Sequence, residues 1–149
     1  MGGLHNVFIS HRHQDDALVA ELKELISSPR CRVRDFSVIA PLSLGALADE
    51  QIMAILAPRI ARAGKVLVIV HPRTRFHRWV DWEIEHACTY RSKRIIGVWA
   101  PGASGCDLPG PLVRHANAVV EWDAEEVVAA LEGRDNRLPH LSGSWCADR

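Results

Sequence analysis

The chain alternates between unbroken apolar runs and stretches whose apolar residues recur every three or four positions. The runs predict strands and the spaced stretches helices, because a helix returns to the same face every 3.6 residues. Asn6 to Ser10 is a short strand ending at a polar turn. Asp15 to Ser27 carries Leu18, Leu22, Leu25 and Ile26 in helical register; Asp15 or Asp16 could cap it, and Pro29 lies beyond its end. Cys31 to Phe36 is a weaker strand in which arginine alternates with apolar or small residues. Leu47 to Arg62 returns to the helical period through Ile52, Ile55, Leu56 and Ile60, and Gly64 is expected to stop it. Lys65 to Val70 is continuously apolar and β-branched after its lysine, the pattern of a strand buried on both faces of a parallel sheet. Phe76 to Tyr90 predicts a third helix, Arg94 to Trp99 a fourth strand, Asn117 to Trp122 a fifth, and Asp123 to Leu131 a last helix capped by Asp123. Pro101 to Pro111, rich in Gly and Pro, reads as an irregular loop.

Five strands alternating with helices predict an α/β fold with a doubly wound, five-stranded parallel sheet, since parallel neighbours need crossover connections. At 149 residues this is one domain, expected over residues 1–132. A polar tail, 133–149, follows, in which Leu138, Leu141 and Trp145 are the residues able to dock. The 18 basic and 18 acidic side chains cancel, which argues against nucleic-acid binding, where a basic face must displace counterions. No run of 18 apolar residues suggests a membrane span. Met1 to Val7 lacks the basic-then-apolar pattern of a secretory signal, so the expectation is a soluble, cytoplasmic protein. The four cysteines are far apart and form no C-x-x-C pair, so ordinary thiols are expected, with Cys31 and Cys88 in the core. His11 and His13 are the one close histidine pair; without an obvious third ligand they read as free surface histidines, and no metal is expected.

Open α/β sheets bind ligands beyond the carboxyl ends of their strands, where the strand order reverses. The segments arriving there are Ser10 to His13, Asp35 to Val38, His71 to His77 and Trp99 to Gly102. None carries the glycine pattern of a dinucleotide fold or a P-loop, and G-x-S-x-G is absent. His11-Arg12-His13-Gln14 is not the Ser/Thr/Gly-rich phosphate loop of a flavodoxin-type electron carrier either.

The stretch Arg78 to Ala87 is more informative. At about 100° per residue, Val80, Ile84 and Ala87 share the arc that should face the sheet. Trp79, Trp82, Glu83 and His86 share the neighbouring arc, while Asp81 and Glu85 point elsewhere. One carboxylate thus stands beside two indoles and an imidazole, and Glu85 reads as a solvated charge. Two readings of Glu83 fit this pattern. The tryptophans could simply close the core, with the acid favoured by the helix dipole. Alternatively, Glu83 occupies a partly apolar cleft, where it could bind a ribose diol or stabilise an oxocarbenium-like centre. The basic residues His11 to His13 and Arg73 to Arg78 would give that cleft a basic rim, suited to a pyrophosphate and equally to another phosphorylated ligand.

Val7-Phe8-Ile9-Ser10-His11, Arg34-Asp35-Phe36-Ser37-Val38 and Trp79-Val80-Asp81-Trp82-Glu83-Ile84-Glu85 together resemble a bacterial TIR-like domain, specifically the TIR-like proteins of the Thoeris anti-phage defence system. Ile95 to Trp99, Asp107-Leu108-Pro109 and Ala118-Val119-Val120 extend the likeness from about Asn6 to Leu131. The resemblance implies a flavodoxin-like three-layer sandwich. It implies, for enzymatic members, cleavage of the nicotinamide–ribose bond of NAD as substrate, with no further cofactor. The essential glutamate of the family lies four residues after the tryptophan opening the third helix, and Trp79 plus four is Glu83. By the same likeness Phe8, Ser10, His11, Asp35, Phe36, Ser37 and Trp79 should border the nucleotide pocket. The product would be an ADP-ribose-derived signal, cyclic or conjugated, that activates a separate effector protein, and the enzyme could act as a homo-oligomer. The competing expectation is a non-catalytic TIR-like module that binds a nucleotide or a protein partner.

Overall fold

A computed structural model describes residues 3–37 and 47–139. Its strands are β1 (Gly3–Ser10), β2 (Cys31–Asp35), β3 (Lys65–Val70), β4 (Arg94–Trp99) and β5 (Ala118–Val120). Its helices are α1 (Asp16–Ile26), α2 (Asp49–Arg62), α3 (Arg78–Cys88), α4 (Gly110–His115) and α5 (Ala124–Leu131). The sheet runs β2-β1-β3-β4-β5 with every pairing parallel. This order reverses direction between β1 and β3, so the carboxyl ends of those two strands flank the switch point where such folds bind ligands.

Side-chain parity divides the core into two layers. Val7 and Ile9 of β1 join Val19, Leu22 and Ile26 of α1 and Val127, Ala130 and Leu131 of α5 on one face. Phe8 joins Ile52, Leu56 and Ile60 of α2 and Val80, Ile84 and Ala87 of α3 on the other. Strand β3 is buried on both faces, as its unbroken apolar run predicts: Val66, Val68 and Val70 point to the α2/α3 layer, Leu67 and Ile69 to the α1/α5 layer. Gly97 of β4 lets α4 approach, since a Cβ there would lie 2.8 Å from Leu112 Cδ2. The result is the flavodoxin-like three-layer sandwich expected from the sequence.

Several local expectations need correction. Asp15 occupies the N-cap of α1 but makes no side-chain capping bond, because Arg12 takes its carboxylate. Asp123 does cap α5, accepting from the Glu126 N–H at 3.1 Å. The third helix starts later than expected, after a separate 3-10 turn at Thr74–Phe76. Helix α4 begins at Gly110, inside the stretch expected as a loop, and was not legible, since its six residues give a helical period too few repeats to register. Cys31 is buried, whereas Cys88 is only half-buried. The chain after α5 docks through its backbone: the Val119 N–H donates to the Arg137 carbonyl, while Leu138 stays 50% exposed. Leu141 and Trp145 lie outside the described residues. Among the described residues, no helix is long and apolar enough to cross a membrane, and no group of three or more His, Cys, Asp or Glu side chains could hold a metal ion.

Candidate active site

Parity also decides what meets at the switch point. Phe8 and Ser10 are two apart on β1 and both face the α2/α3 layer, and α3 lays Glu83 against the same end of the strand. The Ser10 hydroxyl donates to Glu83 Oε1 at 2.6 Å, joining residues 73 apart in sequence. Glu83 is 8% exposed and Ser10 1%. Burial pushes the Glu83 carboxyl up to about 8, against the smaller opposing effect of the Ser10 hydrogen bond, which favours the charged form. At neutral pH this acid is therefore mostly protonated, with its charged form available at modest cost.

The aromatic residues form one wall. Trp79 meets Trp82 edge to face, ring centres 5.8 Å apart, and Trp82 stacks on His86 at 4.8 Å. Phe36, Trp79 and Trp82 pack, partly buried, against the cluster that contains Phe8, Val80 and Ile84. The helical arc thus holds Trp79, Trp82, Glu83 and His86 together as the sequence indicates. Glu85, 49% exposed at its side chain, leaves that arc for Arg114 at 3.0 Å and His115 at 3.2 Å.

Not every expected site residue meets Glu83. Asp35 lies opposite Val7 in the β1–β2 register and so faces α1, on the far side of the sheet from Glu83. Its carboxylate meets Lys23 Nζ at 3.1 Å and accepts from the Ser37 N–H and hydroxyl at 2.8 and 2.6 Å. Asp35 and Ser37 therefore fix the turn leaving β2; their polar groups bond each other rather than Glu83. Phe8, 1% exposed, lies beneath the site rather than on its surface. His11 is no surface histidine: only 5% of its side chain is exposed, and its ring is held between the Ile9 carbonyl at 2.9 Å and the Asp16 carboxylate at 2.6 Å. His13 is the exposed member of the pair.

A buried ion pair beside the site escaped the sequence reading. Arg12 grips Asp15 with two parallel hydrogen bonds, 2.8 and 3.0 Å, and both residues are buried. The R-x-x-D spacing was the available signal. The neighbouring His77 is held below its ordinary value, by burial first and then by the positive charge of Arg12. Its Nδ1 accepts from the Val80 N–H at 3.4 Å, capping α3. The rim is less free a cation cluster than its composition suggests. Arg75 pairs with Asp107, and Arg78 pairs with Asp49 at 2.9 and 3.0 Å.

A five-stranded 2-1-3-4-5 parallel sheet with helices on both faces places the domain in the flavodoxin-like class, an arrangement consistent with a TIR-like fold. Comparison with protein families narrows this: the profile of the Thoeris protein ThsB, TIR-like domain, matches residues 8–105, well over half of the chain. The chain belongs to that family. A search of curated proteins returned no match.

Proposed function

We propose that this domain cleaves the nicotinamide–ribose bond of NAD, with Glu83 as the catalytic group. The observation that carries the reading is the Glu83–Ser10 pair: a nearly sealed carboxyl at the switch point, with no counter-cation among its hydrogen-bond partners in the described residues. In NAD the nicotinamide nitrogen is cationic. When the C1′–N bond breaks, its electron pair leaves with neutral nicotinamide and positive charge builds on the ribose carbon and ring oxygen. A carboxylate in an apolar wall stabilises that charge far more than it could in water. A single carboxylate suffices, because the leaving group needs no protonation.

The raised proton affinity of Glu83 suits this task. Empty, the site holds a neutral acid, which is the cheaper form to bury. A cationic ribosyl group beside it favours ionisation, and the Ser10 hydroxyl, donating to the carboxylate, favours the same form. Trp79 and Phe36 supply apolar surface for the substrate's flat groups. Which nucleophile then reaches C1′ decides the product: water gives ADP-ribose, whereas an internal or external base gives a cyclic or conjugated signal. That signal would act on a separate effector protein of the defence system.

The test is nicotinamide release from NAD, by purified protein and in extracts of phage-infected cells expressing it, with Glu83→Gln in parallel. Release by the wild type and none by the variant is expected, and mass spectrometry then identifies the second product. NAD retained without turnover under both conditions would replace this reading with that of a nucleotide-binding module.

A further inference from the structure

At the opposite end of the sheet, the amino ends of β1, β3 and β4 and the C-terminal end of α5 border an open groove of about 530 Å³. Ser10 and Gly3 are the two ends of β1, so this groove lies roughly 20 Å from Glu83 at about 3.3 Å per strand residue. Its floor is His5, which is 8% exposed. The Lys65 ammonium is 2.8 Å from His5 Nδ1, and since an ammonium only donates, Nδ1 must accept. The ring's hydrogen is therefore on Nε2. That N–H is buried and has no hydrogen-bond partner among the described residues. A buried donor left unmade costs roughly 1–3 kcal/mol, so its presence needs a reason.

Gly3, also in the groove wall, is the near neighbour of this donor: a Cβ on Gly3 would stand 3.6 Å from His5 Nε2 and 3.8 Å from Cε1. Two cations line the same space. Lys65 gives one hydrogen to His5 and has two more. Arg94 uses Nε and Nη2 on the Ala130 and Asp135 carbonyls, at 2.6 and 2.7 Å, which fixes its guanidinium in place. One carboxylate, Glu132, also borders the groove; Arg134 holds its Oε1 at 2.6 Å, and its charge reaches both His5 and Lys65. The lining thus offers a neutral donor and two cations, against one carboxylate that is itself paired with Arg134.

We propose that this groove is an oxyanion-binding site, in which His5 Nε2–H, Lys65 and Arg94 receive the phosphate group of a small ligand. The site is separate from Glu83 and does not rest on the proposed NAD chemistry. Inorganic phosphate titrated into the full chain at constant ionic strength is the probe, read by the His5 ring resonances in NMR spectra. A saturable shift of His5, with His13 and His115 unmoved, is expected. Gly3→Ala places a methyl over Nε2 at ordinary van der Waals distance and should abolish the His5 shift without lowering the melting temperature. Lys65→Met should weaken phosphate binding roughly tenfold or more, the effect of losing one charge-assisted hydrogen bond. No His5 shift at tens of millimolar phosphate would overturn the proposal, as would equal shifts of all histidines or a Gly3→Ala response identical to the wild type.

Discussion

Replacing Glu83 by glutamine should make the domain more stable in alkaline solution while removing its activity. The carboxyl titrates at about 8 in the folded chain against 4.5 ordinarily, so between those values the folded state holds a proton that the unfolded state has lost. A group whose folded value is raised contributes stability that is complete below about pH 4.5 and is lost as pH rises through about 8. At ~1.4 kcal/mol per pH unit, the rise from 4.5 to about 8 sets a ceiling of about 5 kcal/mol on that loss. Glutamine is nearly isosteric, can still accept from Ser10, and does not ionise. Melting curves of both proteins from pH 5 to pH 9 should therefore diverge, the variant gaining on the wild type until about pH 8 and then running parallel. Even 2 kcal/mol would separate them by roughly 4–8 °C at 2–4 °C per kcal/mol. Parallel curves across the whole range would refute the reasoning, because Glu83 would then titrate as an ordinary exposed acid.

Other substitutions probe neighbouring parts of the account. Glu85→Gln breaks only exposed ion pairs to Arg114 and His115, worth about 0–1 kcal/mol, so NAD turnover should stay within about twofold of the wild type. Ser10→Ala removes the hydrogen bond that favours ionised Glu83, so the acid's titration should move further up and turnover at pH 7 should fall about tenfold. Gly97→Ala forces a methyl to 2.8 Å from Leu112 Cδ2 and should cost about 1–3 kcal/mol in urea unfolding by displacing α4.

The elements that repeat a period were legible in the chain. β3 declared itself by an unbroken β-branched run, and α3 by its arc of Val80, Ile84 and Ala87 with Glu83 beside it. What periodicity cannot reveal is register. Asp35 and Phe36 are adjacent in sequence, but the β1–β2 register sets Asp35 opposite Val7 and facing α1, while Phe36 packs with Phe8 on the other face. His11 looked exposed because polar residues surround it, yet its partners are the Ile9 carbonyl and Asp16, contacts made only once the chain turns into α1. The Ser10–Glu83 bond joins two elements across 73 residues and needed the sheet order to exist before it could be seen.

The pH dependence of kcat/KM for nicotinamide release from NAD tests the central claim most directly, because it asks whether the buried acid must ionise to work. Below the titration of the free enzyme's essential base, each pH unit should cost tenfold in kcat/KM. The account predicts a rise through the neutral range to a plateau above about pH 8, and no turnover at any pH in Glu83→Gln. A profile flat from pH 6 to pH 9, or turnover that survives the substitution, would contradict it.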